Sequence, residues 1–391
     1  MTAEQREYPS LMAMLDDVFF AEEEPEDRRD FLSLLPKLYK ERYAPWDNNY
    51  IVREGEDLKA AVGLYIADCA VGGEALRCGG IGNVAVAKDS RRKGYMKQAM
   101  HAAMAAMREA GCDFGALGGH RHRYQYWGFE CGGVKICAEF TRQSVRHACG
   151  EVDIGEYKIA QPAREDLPRL LALIERAPMH IKHDPDAFYD TLCSWESRPR
   201  IVWRGDEIAA YFALQREGKG MNDSRFMNDF HLFEPAALPG VLNAVIAVLP
   251  ADVKAFGASI PLWEKEFIAG AERYAEWLHP GDTAQFTILN FERTLRALLA
   301  LQCGLKELPD GELTVKINGT CEQFAHREET LRLRVKNNQS SVEKYSGAPG
   351  IELGHIEAMR FFTGLTSSKR TSYIANAWFP LPLFLYDMDK V

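Results

Sequence analysis

The sequence predicts an α/β chain of the α+β kind, with mixed sheets, in three successive segments at 1–148, 149–284 and 285–391. Three observations predict it. Short apolar runs alternate with helical patterns along the chain, the pattern resets near Ala148-Cys149-Gly150-Glu151, and it changes again near Ala284-Gln285-Phe286-Thr287. Dividing 391 residues by roughly 150 per domain gives two to three domains. Apolar residues at 47% and charged residues at 26% are ordinary for globular proteins, so each segment can bury a core.

In the first segment, Met12, Leu15, Phe19 and Phe20 recur at helical spacing, as do Phe31, Leu32, Leu34, Leu35 and Leu38. The acidic stretch Glu22-Glu23-Glu24-Pro25-Glu26-Asp27 separates them. Strands follow at Tyr50-Ile51-Val52, Ala60 to Ile66 and Leu76 to Val86, with a hinge at Gly55-Glu56-Asp57. A helix from Gly94 to about Ala110 carries the apolar stripe Met96, Ala99, Met100, Ala103, Met104 and Met107, and Gly111 closes it. The strand Phe114 to Leu117, a short aromatic helix and the strand Val134 to Phe140 complete the segment.

From Tyr157 the order of elements returns: a strand to Ala160, helices at Leu167 to Ile174 and Ala187 to Trp195, then strands at Arg200 to Trp203, Ile208 to Leu214 and Phe226 to Phe233. A helix at Leu238 to Val248 and a strand at Val253 to Ala258 continue it, echoing the first segment as a diverged duplication would. The third segment offers a helix from Asn290 to Leu301, alternating strands at Leu313 to Ile317 and Leu331 to Val335, and a helix at His355 to Phe362. Pro380 and Pro382 keep the apolar tail Ala377 to Leu385 extended.

The formal charge of −9 argues against a nucleic-acid binder, which needs Lys and Arg in excess on one face. Nine cysteines without a CxxC pair speak against a disulfide framework and a zinc site, and for a reducing compartment. The start Met1-Thr2-Ala3-Glu4 lacks a basic signal region, and no apolar run approaches the ~20 residues a bilayer span requires. A soluble cytoplasmic protein with no metal is the expectation.

The sharpest chemical signal is Val84-Ala85-Val86-Ala87-Lys88-Asp89-Ser90-Arg91-Arg92-Lys93-Gly94-Tyr95-Met96-Lys97. A strand ends, a basic turn follows, and a glycine opens a helix. Helix N-termini present unpaired N–H groups and partial positive charge, so they receive phosphate; a solvated basic turn is the plainer reading. A second cluster, Tyr124-Gln125-Tyr126-Trp127-Gly128-Phe129-Glu130, reads by itself as aromatics packing a short helix.

Together these segments resemble the coenzyme-A loop and the Tyr-x-x-x-Gly-Phe signature of the GCN5-related N-acetyltransferases. The resemblance implies that amides of Arg91 to Lys97 hold the pyrophosphate of acetyl-CoA, and that the backbone of Val84, Ala85 and Val86 pairs with its pantetheine arm. It also implies a cofactor-edge role for Gly119 and His120, and Tyr124 as the proton donor to the leaving thiolate. Met96 departs from the usual Gly or Ala. The order of segments is similar to the enhanced-intracellular-survival group: two tandem acetyltransferase-like units, the second degenerate, then a sterol-carrier-protein-like domain. In that group the C-terminal carboxylate, here of Val391, acts as general base, although this tail ends Asp387-Met388-Asp389-Lys390-Val391 without an aromatic residue. The implied partners are acetyl-CoA, an amine small molecule or peptide lysine, and further copies in a trimer or hexamer.

Other readings stay open beside it. A lipid or hydrophobic-ligand binder would use the last domain as its active part and coenzyme A as a structural or sensing ligand. His120-Arg121-His122-Arg123 has no ligand spacing for a metal. Asp16, Asp17, Glu22, Glu23 and Glu24 either line a cationic pocket or form a solvated face. Cys112 and Cys131 have no paired base and read as core thiols.

Overall fold

The computed structural model describes residues 1–24, 28–150, 152–214, 224–251, 253–319 and 328–391, with backbone alone at 224–228. Pro25, Glu26, Asp27, Glu151 and Cys321 lie outside the described residues. The chain forms two compact units: 1–133 with 282–385 and 390–391, and 134–281 with 386–389.

In the first unit, β1 (Asn49–Glu54), β2 (Asp57–Val71) and β3 (Glu74–Val86) form an antiparallel meander. Next to β3 runs the parallel β4 (Phe114–Leu117), then the strand Ala284–Ile288, then β5 (Glu130–Gly132). The helix Tyr95–Glu109 buries Ala99, Met100, Ala103, Met104 and Met107 in one cluster with Val62, Leu64, Ile81 and Leu117. Each Met, Val, Leu or Ile side chain among them contributes about 1.5–3 kcal/mol on burial. The helix ends where the sequence predicts: the Gly111 N–H donates to the Arg108 carbonyl at 2.9 Å and the Cys112 N–H to Met107 at 3.1 Å. The predicted helix over Phe31 to Leu38 is broken in two, Phe31–Leu34 and Pro36–Tyr39, because Pro36 has no N–H to continue the ladder.

A four-stranded sheet also belongs to this unit, in the order Gln339–Lys344, Glu329–Lys336, Gly311–Asn318, Ile351–Gly354. The helix Phe291–Leu305 packs on it, with the Asn290 side chain accepting the Arg293 N–H at its start.

The second unit holds one sheet, ordered Trp277–Gly281, Lys135–Thr141, Ala255–Pro261, Ser224–Leu232, Glu207–Leu214, Arg198–Arg204, Tyr157–Ala160. Its core joins Phe140, Phe212, Phe230, Phe256 and Phe267 to Val241 and Val245 of the helix Leu238–Val248. The echo in the sequence is an echo in topology. Both units run three antiparallel strands, a helix, and a strand parallel to the third. Strand membership departs from the sequence order: Lys135–Thr141, ahead of residue 148, pairs in the second sheet, and Ala284–Ile288 pairs in the first. Periodicity marks such strands but carries no record of which neighbour completes their hydrogen bonds.

Glu130 of β5 is 1% exposed and bonds Arg121, Arg360 and Gln125. Burial alone would raise its carboxyl; Arg121, the Cys131 N–H, Gln125 and Arg360 outweigh that and hold it at about 2. The folded value lies below the unfolded ~4.3, so this stabilisation is fully present above ~4.3 and is lost as pH falls through about 2. Glu130→Gln therefore flattens the acid limb: between pH 7 and pH 3 its urea midpoint falls less than that of the wild type. Parallel midpoints would contradict the assignment.

Candidate functional site

The site grows from one irregularity in β3. Its ladder to β4 covers Cys78 to Ile81 and stops there, while β3 runs on to Val86. On its other edge β3 stays paired to β2, but with a bulge: Ala61 faces Ala85 and Gly63 faces Gly82, so Asn83 and Val84 share one partner position. Asn83 takes φ +40, a left-handed conformation that Asn tolerates better than most residues. From Gly82 onward β3 pairs with no strand on its β4-facing edge among the described residues.

The bulge sets a buried polar group in place. The Asn83 Nδ2 donates to Asn49 Oδ1 at 2.7 Å. Asn49, fully buried, donates in turn to the Pro45 carbonyl at 2.7 Å and to the Tyr65 hydroxyl at 3.3 Å. Burial pushes the Tyr65 phenol up to about 12, with Tyr39 edge-on beside it at 6.3 Å between centroids. The Asn83 Oδ1 is buried with no hydrogen-bond partner. Nothing in the sequence marked Asn49, Asn83 or Tyr65. Their meeting depends on the register of β1, β2 and β3.

Val391 lies against the same strand. An ideal Cβ on Gly80 would stand 2.6 Å from Val391 Cγ2, and one on Gly82 would stand 3.2 Å from the Val391 carboxyl carbon. Lys37 Nζ donates to the Lys390 carbonyl at 2.7 Å. The structure thus sets Val391 against Gly80 and Gly82 of β3, the strand that also carries Val84, Ala85 and Val86.

After Val86 the chain turns through Lys88–Ser90, with the Ser90 N–H on the Ala87 carbonyl at 2.9 Å. Arg92 (φ +69) and Gly94 (φ +85) are left-handed, and the helix starts at Tyr95. Gly94 is required by this φ, not by crowding, since a Cβ there would meet nothing within 4 Å. The first-turn N–H groups have no intrahelical partner. Arg91, Arg92, Lys93 and Lys97 are exposed, and Met96 is half-buried. Lys93 is engaged, 3.3 Å from Glu54, which also bonds the Tyr95 hydroxyl. Lys97 sits 5.5 Å over the Tyr126 ring.

Tyr124 lies in the short helix Arg121–Gln125 and is 5% exposed. Its carbonyl accepts the Trp127 and Phe129 N–H groups at 2.9 and 3.1 Å, the turn that Gly128 permits. Burial raises its phenol, with Arg123 partly opposing, so it holds its proton at neutral pH. Gly119 approaches the Tyr124 ring, and its carbonyl accepts from Gln285; His120 is exposed. Burial pushes the Cys112 thiol up to about 11, as befits a core thiol. In the acidic stretch Asp16 accepts the Phe31 N–H at 2.9 Å and Glu23 pairs with Arg29, while Asp17, Glu22 and Glu24 are exposed.

Residues 2–132 match the family model described as an acetyltransferase (GNAT) domain. That segment is thus similar to a GNAT acetyltransferase domain. The bulge, the loop and Tyr124 described above all fall within the matched residues. The whole chain is similar in fold to a GCN5-related N-acetyltransferase from Anabaena variabilis, at 14% identity and TM-score 0.69, covering 100% of this chain and 99% of that one. It is similar to a probable N-acyltransferase from Enterococcus faecalis at 13% and 0.68, covering 99% and 98%. It is also similar to Eis1 from Mycobacterium abscessus at 12% and 0.67, covering 100% and 98%. No curated protein matches the sequence. Among the described residues no helix is long and apolar enough to cross a membrane.

The second unit repeats the bulge without the loop. Its strand Ser224–Leu232 is irregular between Asn228 and Phe230, where Asp229 takes φ +51. There the Asp229 carboxylate accepts the N–H groups of Asp387 and Met388 at 2.7 and 2.8 Å. Burial, then Asp387 and Asp389, raise it to about 8. The helix that follows starts at buried Leu238 with Pro239, and residues 233–237 ahead of it include no Gly, Lys or Arg.

Asn49→Ala removes three hydrogen bonds at the β3 bulge and strands buried groups. We expect a loss of about 1–3 kcal/mol in urea unfolding. An unchanged midpoint would show that the bulge does not depend on Asn49.

Proposed function

We propose that the chain is an N-acetyltransferase that moves an acetyl group from acetyl-CoA directly to an amine within a ternary complex. One observation carries this reading: β3 parts from β4 at Ile81, runs on to Val86, and feeds a left-handed turn into a helix start. An open strand edge suits the amide groups of a pantetheine arm, and unpaired helix N–H groups suit a diphosphate. In this reading the backbone of Val84, Ala85 and Val86 holds the arm, and Arg91, Arg92, Lys93, Gly94, Tyr95, Met96 and Lys97 hold the diphosphate. Gly119 and His120 border the cofactor.

The amine attacks the thioester carbonyl; a C–N bond forms and the C–S bond breaks. The Val86 N–H polarises the carbonyl. The α-carboxylate of Val391 takes the ammonium proton, and Tyr124 returns one to the departing sulfur. Two facts support these roles: the carboxyl carbon of Val391 lies against Gly82, and the buried phenol of Tyr124 stays protonated. The second unit serves as a degenerate copy without cofactor, in keeping with its blocked bulge and apolar helix start. The four-stranded sheet would be the sterol-carrier-like part, and the assembly a trimer or hexamer in the cytoplasm.

Tyr124→Phe should lower kcat by ~10²-fold or more, in a thiol-release assay across an amine library, while calorimetric acetyl-CoA affinity stays unchanged. Undiminished turnover would remove Tyr124 from the chemistry. No thiol release with any amine would count against the whole reading.

A further inference from the structure

We propose that Gly80 and Lys37 are positioning residues that seat Val391 on β3, and that Gly80 is bare because Val391 fills the space a side chain would take. The inference deepens the reading above and rests on it for its link to turnover.

Gly80 and Gly82 stand two apart on a strand, so they share one face. At Gly80 a Cβ would meet Val391 Cγ2 at 2.6 Å and Cγ1 at 3.3 Å; the next atom, the Tyr65 carbonyl oxygen, is at an ordinary 3.5 Å. Gly80 is not in a left-handed conformation. Neither backbone strain nor the sheet therefore demands glycine there. Among the nearest atoms of the described residues, those closer than ordinary contact belong to the Val391 side chain. At Gly82 the nearest atom is the Val391 carboxyl carbon at 3.2 Å, so the second glycine sits under the carboxyl group as the first sits under the isopropyl group.

Lys37 fixes the preceding residue. Its Nζ bonds the Lys390 carbonyl at 2.7 Å, one peptide unit away from Val391. Pro36 opens the short helix carrying Lys37, and Tyr39 of that helix packs against Tyr65 beside the bulge. The seat thus has a charge-assisted hydrogen bond on one side and steric complementarity on the other. A carboxylate displaced by about 1 Å from its reacting proton costs ~10²-fold in rate, so small errors here are visible in kcat.

The test is a relief cycle. Gly80→Ala pushes Val391 away and should lower kcat by ~10²-fold with the KM for acetyl-CoA unchanged. Val391→Gly deletes the clashing methyls and keeps an α-carboxylate. The double variant Gly80→Ala/Val391→Gly should turn over ~10-fold faster than Gly80→Ala alone. Provided that removal of Val391 lowers turnover, a Gly80→Ala enzyme with full turnover, or a double variant no faster than Gly80→Ala, would overturn the proposal. A strand that merely misfolds around alanine would not be relieved by a change at Val391.

A second readout does not depend on activity. Release of Val391 by a carboxypeptidase, followed by mass spectrometry, should be ~10-fold faster in Gly80→Ala and in Lys37→Met than in the wild type. Equal release rates would overturn the seat. Protected Val391 in the wild type, with full turnover after its removal, would instead overturn the carboxylate's proposed role and leave the seat standing.

Discussion

Every later feature of the site depends on hydrogen bonding along one edge of β3. A strand inside a sheet satisfies both edges with neighbours. Here β4 turns away after Ile81, so β3 reaches Val86 paired to β2 alone. The bulge at Asn83 bends the strand at that same point. The turn through Arg92 and Gly94 then places a helix start just past the open edge. Sheet, bulge and helix thereby offer unpaired N–H groups in sequence along one path. Remove the departure of β4 and the loop becomes an ordinary basic turn.

The two bulges show how one topology supports two outcomes. At Asn83 the side chain is neutral and leaves a buried acceptor unpaired, with Val391 on the strand beside it. At Asp229 the side chain is a carboxylate whose oxygens are taken by the N–H groups of Asp387 and Met388. One bulge leaves a buried acceptor unpaired, whereas the other has its carboxylate engaged by N–H groups of the chain itself. Gly94 against Leu238-Pro239 makes the same distinction at the helix start.

What was legible in the sequence was local. The strand to Val86, the Arg91 to Gly94 turn, the methionine stripe closed at Gly111 and the Tyr124 to Phe129 turn each depend on neighbours within a few residues. Asn49, Asn83 and Tyr65 were not legible, because only strand register brings them together. Lys37 and Gly80 were hidden for the same reason, separated from residues 390 and 391 by the length of the chain. The helix Lys265–Tyr274 went unread because Gly270 interrupts a short pattern, and the strand Trp277–Gly281 because Pro280 argues against a strand away from an edge. The partners of Lys135–Thr141 and Ala284–Ile288 are a matter of hydrogen bonding across the sheets, which alternation does not encode.

Amide hydrogen exchange with and without acetyl-CoA tests the central claim most directly. Slower exchange at Val84 to Val86 and at Gly94 to Lys97, with the helix start at Leu238 unaffected, is the result this account predicts. Unchanged exchange in both segments at saturating acetyl-CoA would contradict it.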